Sequence, residues 1–319
     1  MKPFPPASPL RLACPRCRMA LAADGPDAAR CPAEGTVYYR VEGIWRMLLP
    51  ERTAVFERFS REYERVRQAE GWGLPERTYY LALPFRDLSG RHRDVWAIRR
   101  RSYQTLVAEI VEPQAKAAGR PLRVLDLGAG NGWLSYRLSQ QGQQVAAVDL
   151  LTNAVDGLGA HVYYGRPFLT IQAEFDRLPL SEGQVDLVIF NGSLHYASHY
   201  EQTLAEALRA LTDEGQIVIM DSPFYHDPDS GRRMVQEREE RFAQLYGFRG
   251  DSLPNENYLT FDRLAELGRQ LHLAWAIHRP FYGWRWALRP WIARLRGSRE
   301  PATFVLAVGR CFDGQDGQD

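Results

Sequence analysis

A short apolar strand runs into a turn with glycine at alternate positions in residues 123–132. Apolar residues flank Asp126 in the strand, and the turn contains Gly128, Gly130 and Gly132. Glycine adopts positive φ angles without strain and lets the backbone approach a ligand closely. A strand followed by such a turn is typical of a nucleotide-binding loop in a parallel α/β sheet.

The segments after the turn complete a strand–turn–helix–strand unit. Residues 133–141 repeat apolar side chains at helical spacing, and a second strand at 144–148 ends at Asp149. We expect the amides of the glycine turn to donate to a carboxylate or phosphate, and Asp149 to accept from ribose hydroxyls. A dinucleotide-binding G-x-G-x-x-G pattern is excluded because its third glycine would fall at Trp133.

These features resemble motif I of the class I S-adenosylmethionine-dependent methyltransferases. The resemblance continues over residues 121–221, where 173–180 is similar to the end of the third strand, 184–191 to the fourth strand and 216–221 to the fifth. It implies an α/β fold with a Rossmann-like, seven-stranded sheet and helices on both faces. It also implies methyltransferase activity and S-adenosylmethionine as the cofactor.

The resemblance also implies which residues bind the cofactor. Glu174 and Phe175 are expected beside the adenine, and Leu150 is expected to cover one face of it. The complete predicted set is Asp126, Gly128, Ala129, Gly130, Asn131, Gly132, Asp149, Leu150, Glu174, Phe175, Asn191 and Ser193.

The catalytic residues are harder to predict, because methyl transfer needs a base only when the nucleophile carries a proton. His195 follows the fourth strand and is the best candidate base, with a packing role as the alternative. Asn191 is not followed by Pro-Pro-aromatic, and no Pro-Cys follows the fourth strand, which argues against several nucleic-acid and protein methylation subclasses. We therefore expect a small-molecule acceptor. The alternatives are methylation of rRNA or tRNA, and a non-catalytic scaffold that binds S-adenosylmethionine.

Three of the four cysteines lie close together near the amino terminus. Cys14, Cys17 and Cys31 resemble the thiolates of a small zinc-ribbon-like domain in which Glu34 replaces the fourth cysteine. Three interpretations stay open: zinc bound by the three cysteines and Glu34, a metal-free relic held by its own core, or recruitment of Cys311 or another ligand. A disulfide is disfavoured because the sequence shows no export signal.

Composition and periodicity divide the chain into successive regions. Helices are predicted at 51–70 and 91–111, the second ending before Pro113, with an irregular segment at 71–90 between them. The predicted regions are a zinc-ribbon-like knuckle at 1–50, a helical linker at 51–120, a methyltransferase domain at 121–312 with insertions at 222–259 and 279–300, and a disordered tail at 313–319.

Charge and hydropathy bear on partners and location. The net charge of +1 disfavours nucleic acid as a partner, and the absence of a long apolar run predicts a cytoplasmic protein without a transmembrane segment. Residues 279–300 interleave arginine with tryptophan. We expect this segment to form a lid that selects an anionic or aromatic substrate, with a solvated amphipathic helix as the alternative.

Overall fold

The structure is a computed structural model that describes residues 10–165 and 168–312. The predicted disordered tail, 313–319, lies outside the described residues. The strands, in chain order, are β1 Ala22–Ala23, β2 Ala28–Arg30, β3 Val37–Val41, β4 Ile44–Arg46, β5 Arg123–Leu127, β6 Gln144–Asp149, β7 Leu169–Gln172, β8 Val185–Asn191, β9 Leu211–Met220, β10 Phe224–Tyr225, β11 Leu259–Thr260, β12 Leu273–His278 and β13 Leu306–Cys311.

Ten α-helices in the described residues accompany these strands. They are α1 Pro50–Ala69, α2 Arg77–Ala82, α3 Arg93–Leu106, α4 Glu112–Ala118, α5 Trp133–Gln140, α6 Tyr200–Ala210, α7 Pro228–Tyr246, α8 Phe261–Leu271, α9 Trp284–Ala287 and α10 Arg289–Leu295. Short 3₁₀ helices cover Leu158–Tyr163 and Leu194–Tyr196. Among the described residues, no helix is both long enough and apolar enough to cross a membrane.

The predicted seven-stranded sheet is confirmed and is extended at one edge. Its order is β7-β6-β5-β8-β9-β13-β12, with β13 antiparallel to both of its neighbours. Strand β4 pairs in parallel with β7, so that Ile44 lies opposite Thr170, and β1–β3 continue outward from β4. The amino-terminal strands therefore belong to one eleven-stranded sheet, and they cover the edge that β7 would otherwise leave open.

The two faces of the sheet bury separate apolar cores. In β5, Leu125 and Leu127 face one core, which includes side chains of α6 and α8. Val124 faces the other core, which includes side chains of α3 and α5. This alternation follows from the two-residue period of a strand, and it produces the layered α/β arrangement that places strand ends and helix starts at one edge.

Two predictions about the linker are wrong. The segment 71–90 contains a regular helix, α2. The helix predicted to end before Pro113 instead continues through a π turn at Val107–Val111 into α4, where Pro113 lies in the first turn. Proline is tolerated there because the wider turn shifts the hydrogen-bond register and Pro113 does not need to donate.

Asp186 joins the start of β8 to the strand β5 beside it. Its carboxylate accepts from the Arg120 side chain at 2.7 Å and from the Arg123 backbone amide at 2.8 Å. Although burial raises the pKa of Asp186, these hydrogen bonds prevail and hold it at about 2, below its ordinary value of 3.8. A carboxyl group whose pKa is lowered in the folded state stabilises the protein at a pH above its pKa in the unfolded chain. That stabilisation is lost as the pH falls through the folded-state pKa.

We predict that Asp186→Asn lowers the free energy of unfolding by about 2 kcal/mol at neutral pH, following from the size of the pKa shift. The difference between wild type and variant should shrink as the pH falls from about 4 towards 2, since that window lies between the unfolded and folded pKa values. Urea unfolding across this range measures it. Exposed Asp213→Asn is the control, and a difference independent of pH would contradict the assignment.

Candidate functional site

A cavity lies at the carboxyl ends of β5, β6, β7 and β8, with side chains of α1 and α3 on its opposite wall. We call it the donor cavity. Ten of the twelve residues predicted to bind the cofactor line it: Gly128, Ala129, Gly130, Asn131, Asp149, Leu150, Glu174, Phe175, Asn191 and Ser193. Asp126 and Gly132 do not line it. The structure thus brings most of the predicted set together at the edge where parallel sheets bind ligands.

The glycine turn does not present its glycine amides to the cavity as predicted. The Gly128 amide donates to the Val148 carbonyl at 2.8 Å, and the Gly132 amide donates to the Ala129 carbonyl at 2.9 Å. The glycines act through shape instead. Gly128 has φ +74°, and a Cβ there would lie 2.3 Å from the Cβ of Ser193, so any side chain would collide with the wall of the cavity.

Asp149 links the second strand to the glycine turn. Its carboxylate accepts from the amides of Gly130 and Leu151, each at 2.8 Å. Burial raises the pKa of Asp149 to about 6, while these two hydrogen bonds act in the opposite direction. A carboxylate accepts about four hydrogen bonds, so acceptor capacity remains for a ligand in the cavity.

Asp126 and Gly132, the two predicted residues outside the cavity lining, contact other protein side chains instead. Asp126 is fully buried, and one of its carboxylate oxygens accepts from the Ser135 hydroxyl of α5 at 2.7 Å. Its other oxygen has no partner among the described residues, and burial raises the pKa of the group to about 7. Gly132 precedes α5 with φ +75°, and a Cβ there would lie 2.7 Å from the Phe168 ring. Both residues therefore support the glycine turn from the side that faces away from the cavity.

Two arginines of α1 form ion pairs on the cavity wall. Arg52 binds the Glu174 carboxylate through Nη2 at 2.8 Å and Nε at 3.0 Å. Arg67 binds Asp156 in the same two-pronged way, with one contact at 3.0 Å. The predicted ligand Glu174 is therefore already paired with α1, and the two ion pairs fix α1 across the strand ends.

Arg99 of α3 also lines the donor cavity, but it makes no ion pair or hydrogen bond with any described residue. Its guanidinium carbon lies 4.7 Å from the ring centre of Trp96 and 5.4 Å from that of Trp72. Burial and the neighbouring Arg67 lower the pKa of Arg99, while the negative charge of Asp221 acts in the opposite direction. An unpaired cation on a cavity wall is suited to an anionic group of a ligand. The sequence pattern did not single out Arg99.

A second chamber adjoins the donor cavity and shares Phe59, Tyr63, Arg67 and Tyr196 with it. We call it the side chamber. It lies between α1 and the insertion 222–259. Four of its lining residues have a buried polar atom without a partner among the described residues, namely Glu62 Oε2, Arg238 Nε, Ser252 Oγ and Asn255 Oδ1. Buried polar groups are normally hydrogen-bonded, so these atoms make the side chamber a candidate site for a polar ligand.

His195, the predicted base, does not line either chamber. Its ring packs on Tyr196 with centres 4.3 Å apart, and its Nδ1 lies 3.4 Å from the Ser222 hydroxyl. Burial, with a contribution from the positive charge of Arg238, lowers the pKa of His195 to about 3. Such an imidazole is neutral at physiological pH but is a weak proton acceptor, which favours the packing role over the catalytic one.

The predicted lid, 279–300, does not line the donor cavity or the side chamber in the part of the chain that the structure describes. The Tyr282 hydroxyl lies 2.9 Å from the Ser102 hydroxyl of α3. Trp284 and Trp291, by contrast, are 76% and 64% exposed. Because β12 runs parallel to β9, this segment leaves the sheet at the edge where the donor cavity lies, but two of its three tryptophans, Trp284 and Trp291, face solvent.

The cysteine cluster is assembled, but without the predicted fourth ligand. The Sγ atoms of Cys14, Cys17 and Cys31 all lie within 4.8 Å of one another. Glu34 is not part of this group and pairs with Arg16 at 3.1 Å.

Recruitment of Cys311 is contradicted by the sheet order. Cys311 ends β13, which lies six strand positions from β4 and so roughly 30 Å away at ordinary strand spacing. In addition, the hydroxyl of Tyr38 lies 3.3 Å from Cys14 Sγ, beside the three thiols. Among the residues that the structure describes, no carboxylate, imidazole or further thiol joins these three thiols as a fourth metal ligand.

Comparison with known proteins identifies the central part of the chain. A family model described as a methyltransferase domain matches residues 125–219, which carry the glycine turn, Asp149 and Asn191. The chain carries a methyltransferase domain. The matched segment ends within β9, so α1, α3 and the residues 1–50, 222–259 and 279–300 lie outside it.

The relatives match only part of the chain. The O-antigen chain terminator bifunctional methyltransferase/kinase WbdD of Escherichia coli is 27% identical over 146 residues, covering 41% of this chain and 21% of that protein. Malonyl-[acyl-carrier protein] O-methyltransferase of Geobacter sulfurreducens is 34% identical over 101 residues, covering 30% of this chain and 36% of that protein. This chain therefore spans less than two fifths of the length of either relative.

Among solved structures, a Burkholderia thailandensis 1,6-didemethyltoxoflavin-N1-methyltransferase with bound 1,6-didemethyltoxoflavin and S-adenosylhomocysteine aligns over 92% of this chain and 99% of its own. The sequences are 18% identical, and the TM-score is 0.43.

We predict that the cysteine cluster binds zinc weakly. Three thiolates fill three of four tetrahedral positions, and Glu34 is held by Arg16. Protein purified without added zinc should contain well below one zinc per chain by elemental analysis, and a chelator should remove it without unfolding the protein. Arg16→Ala should increase zinc retention by releasing Glu34, with exposed Arg61→Ala as the control. Stoichiometric zinc that resists chelation in the wild type would refute this.

Proposed function

We propose that this protein transfers a methyl group from S-adenosylmethionine to a small-molecule acceptor. The observation that carries the proposal is the donor cavity, where the glycine turn, Asp149 and Asn191 of the methyltransferase domain meet at one edge of the sheet. The adjoining side chamber offers a separate place for the acceptor.

The residues of the donor cavity fit this cofactor. The Oδ1 atom of Asn191 is buried without a partner among the described residues, and Asp149 retains acceptor capacity for ribose hydroxyls. Gly128 lets the turn pack directly against Ser193 in the cavity wall, where a Cβ would collide. Phe175 and Leu150 supply apolar surface of the kind that an adenine packs against. We assign the amino-acid carboxylate of the cofactor to Arg99, the unpaired cation of the wall.

When bound, S-adenosylmethionine supplies a methyl group on a positively charged sulfur. The contribution of the chain is then mainly to hold the acceptor in line with that methyl group and to exclude water. Phe59, Tyr63 and Tyr196 line both chambers and stand at their junction. We propose that these rings position the acceptor at the junction.

The side chamber suits a small aromatic acceptor with hydroxyl or amino groups. Phe242 and Phe248 join the shared rings in providing apolar walls. Arg238 Nε can donate a hydrogen bond, while Glu62 Oε2 and Asn255 Oδ1 can accept one. A planar molecule carrying both donors and acceptors would satisfy these atoms, whereas a purely apolar molecule would leave them unpaired.

Asp149→Ala should weaken S-adenosylhomocysteine binding about tenfold or more, because lost hydrogen bonds to the ribose correspond to roughly 1 to 3 kcal/mol. Titration calorimetry measures this directly. Exposed Asp262→Ala, which should bind as the wild type does, is the control. A wild-type protein that takes up no S-adenosylhomocysteine, or that prefers NADH, would refute the cofactor assignment.

Arg238→Met should raise the KM for an acceptor about tenfold or more, through the loss of a hydrogen bond from a charged group. The affinity for S-adenosylhomocysteine should stay within a few-fold of wild type. Transfer of label from tritiated S-adenosylmethionine to a panel of phenols, hydroxybenzoates and aryl amines provides the measurement. Exposed Arg241→Met on the same helix is the control. Cofactor binding without transfer to any acceptor would favour the scaffold interpretation.

A further inference from the structure

The segment 279–300 presents an apolar stripe to solvent. Sixteen large hydrophobic residues are markedly exposed in the described chain, and six of them fall within the fifteen positions 281–295. Five form what we call the outer stripe, with exposed fractions of 76% for Trp284, 51% for Leu288, 64% for Trp291, 42% for Ile292 and 88% for Leu295. Isolated exposed apolar residues are ordinary, but a cluster of this kind marks an interaction surface.

Helical geometry places these five side chains on one side of α9 and α10. The Leu288 amide donates to the Trp284 carbonyl at 3.0 Å, and the Ile292 amide donates to the Leu288 carbonyl at 3.1 Å. The helical register therefore continues from α9 into α10, and the spacing of the outer stripe matches one helix face at about 100° per residue.

The opposite side of the segment is anchored to the domain. The Trp286 ring packs on Phe304 with centres 5.2 Å apart and on Tyr282 at 5.4 Å. The Arg289 guanidinium lies 3.7 Å from the centre of the Trp286 ring. Since Trp286 supplies the inward contacts, the outer stripe is a fixed surface and not a frayed end.

Positive charge flanks the outer stripe. Arg285, Arg294 and Arg296 are exposed and form no ion pair with any residue that the structure describes. Residues 279–299 contain six arginines and no acidic residue. Tryptophan and leucine on one helix face with arginines beside them is the composition of a helix that lies in the headgroup region of an anionic bilayer.

We propose that α9 and α10 form a peripheral membrane-binding surface for anionic lipids. A second copy of this chain is a poorer occupant, because two such faces would bring their arginines together. Single-stranded nucleic acid is also poorer. Leu288, Ile292 and Leu295 make up most of the stripe, and aliphatic side chains provide neither stacking for bases nor charge for phosphates.

The test is cosedimentation of the full chain with vesicles. Wild type is expected to bind phosphatidylcholine vesicles containing roughly a third phosphatidylglycerol more strongly than phosphatidylcholine alone, and less strongly as salt rises. The stripe variant, Trp284→Ser with Trp291→Ser and Leu295→Ser, should bind at least about tenfold more weakly. The matched control is Val162→Ser with Leu245→Ser, two residues that are each 64% exposed elsewhere, and it should bind like wild type.

A charge variant separates the two contributions. Replacing Arg285, Arg294 and Arg296 by Gln should remove the preference for phosphatidylglycerol and its salt dependence. Thermal unfolding followed by circular dichroism checks that each variant folds, and it needs neither cofactor nor acceptor. The test therefore does not depend on the proposed methyl transfer.

Three results would overturn the proposal. The first is equal vesicle binding by wild type and the stripe variant, or no binding by wild type. The second is a wild-type dimer in light scattering that becomes monomeric in the stripe variant, which would assign the surface to a second copy. The third is binding of a single-stranded oligoribonucleotide, in the absence of vesicle binding, that the stripe variant loses.

Discussion

Two half-buried ion pairs hold α1 across the carboxyl edge of the parallel strands, and α1 lines both chambers. Arg52 with Glu174 and Arg67 with Asp156 are fifteen residues apart on the helix, roughly 22 Å at 1.5 Å per residue. Such pairs add little net stability, since desolvation offsets the attraction. Removing one partner of such a pair nevertheless destabilises the fold, because the other charge is left unpaired in the poorly solvated cavity wall. The position of α1 is therefore specified, and with it the rings that face both chambers.

This arrangement means that much of the site comes from outside the methyltransferase domain. Residues 125–219 supply the strand ends and the glycine turn, which determine where a donor can bind. Arg99 and the rings of α1 come from the preceding helices, and Arg238 comes from the insertion. The side chamber is built almost wholly from these added segments. Selectivity for an acceptor would then reside outside the segment that the family model matches.

The local elements of the fold could be predicted from the sequence. Helix α5 and strand β6 lie within a residue of their predicted bounds, because their periodicity and turn chemistry are encoded by neighbours in the chain. The start of α8 also follows local chemistry, since the Thr260 hydroxyl accepts from the Arg263 amide at 3.0 Å and threonine commonly caps helices in this way. Ten predicted cofactor residues line one cavity because strand ends in a parallel sheet meet at one edge.

Features that depend on distant contacts could not be predicted in this way. The glycine motif does not reveal that Gly128 donates to the carbonyl of Val148, twenty positions away. The π turn that carries the chain into the helix containing Pro113 leaves no mark in the hydrophobic pattern. Nothing in the sequence distinguishes Arg99 from the other arginines, because its place in the cavity depends on the packing of α3 against the strand ends. The sequence predicts the strand ends and the glycine turn of the site, whereas tertiary packing determines which other side chains line it.

The outward tryptophans are difficult to explain by folding alone. Helices of four and seven residues are too short to persist by themselves, so α9 and α10 require tertiary contacts. Trp286 and Arg289 provide those contacts, which leaves the outer stripe without a part in them. An exposed apolar cluster also favours aggregation. Trp284 and Leu295 add to this risk of aggregation without packing against the domain. Binding to a partner therefore accounts for their exposure better than a contribution to fold stability does.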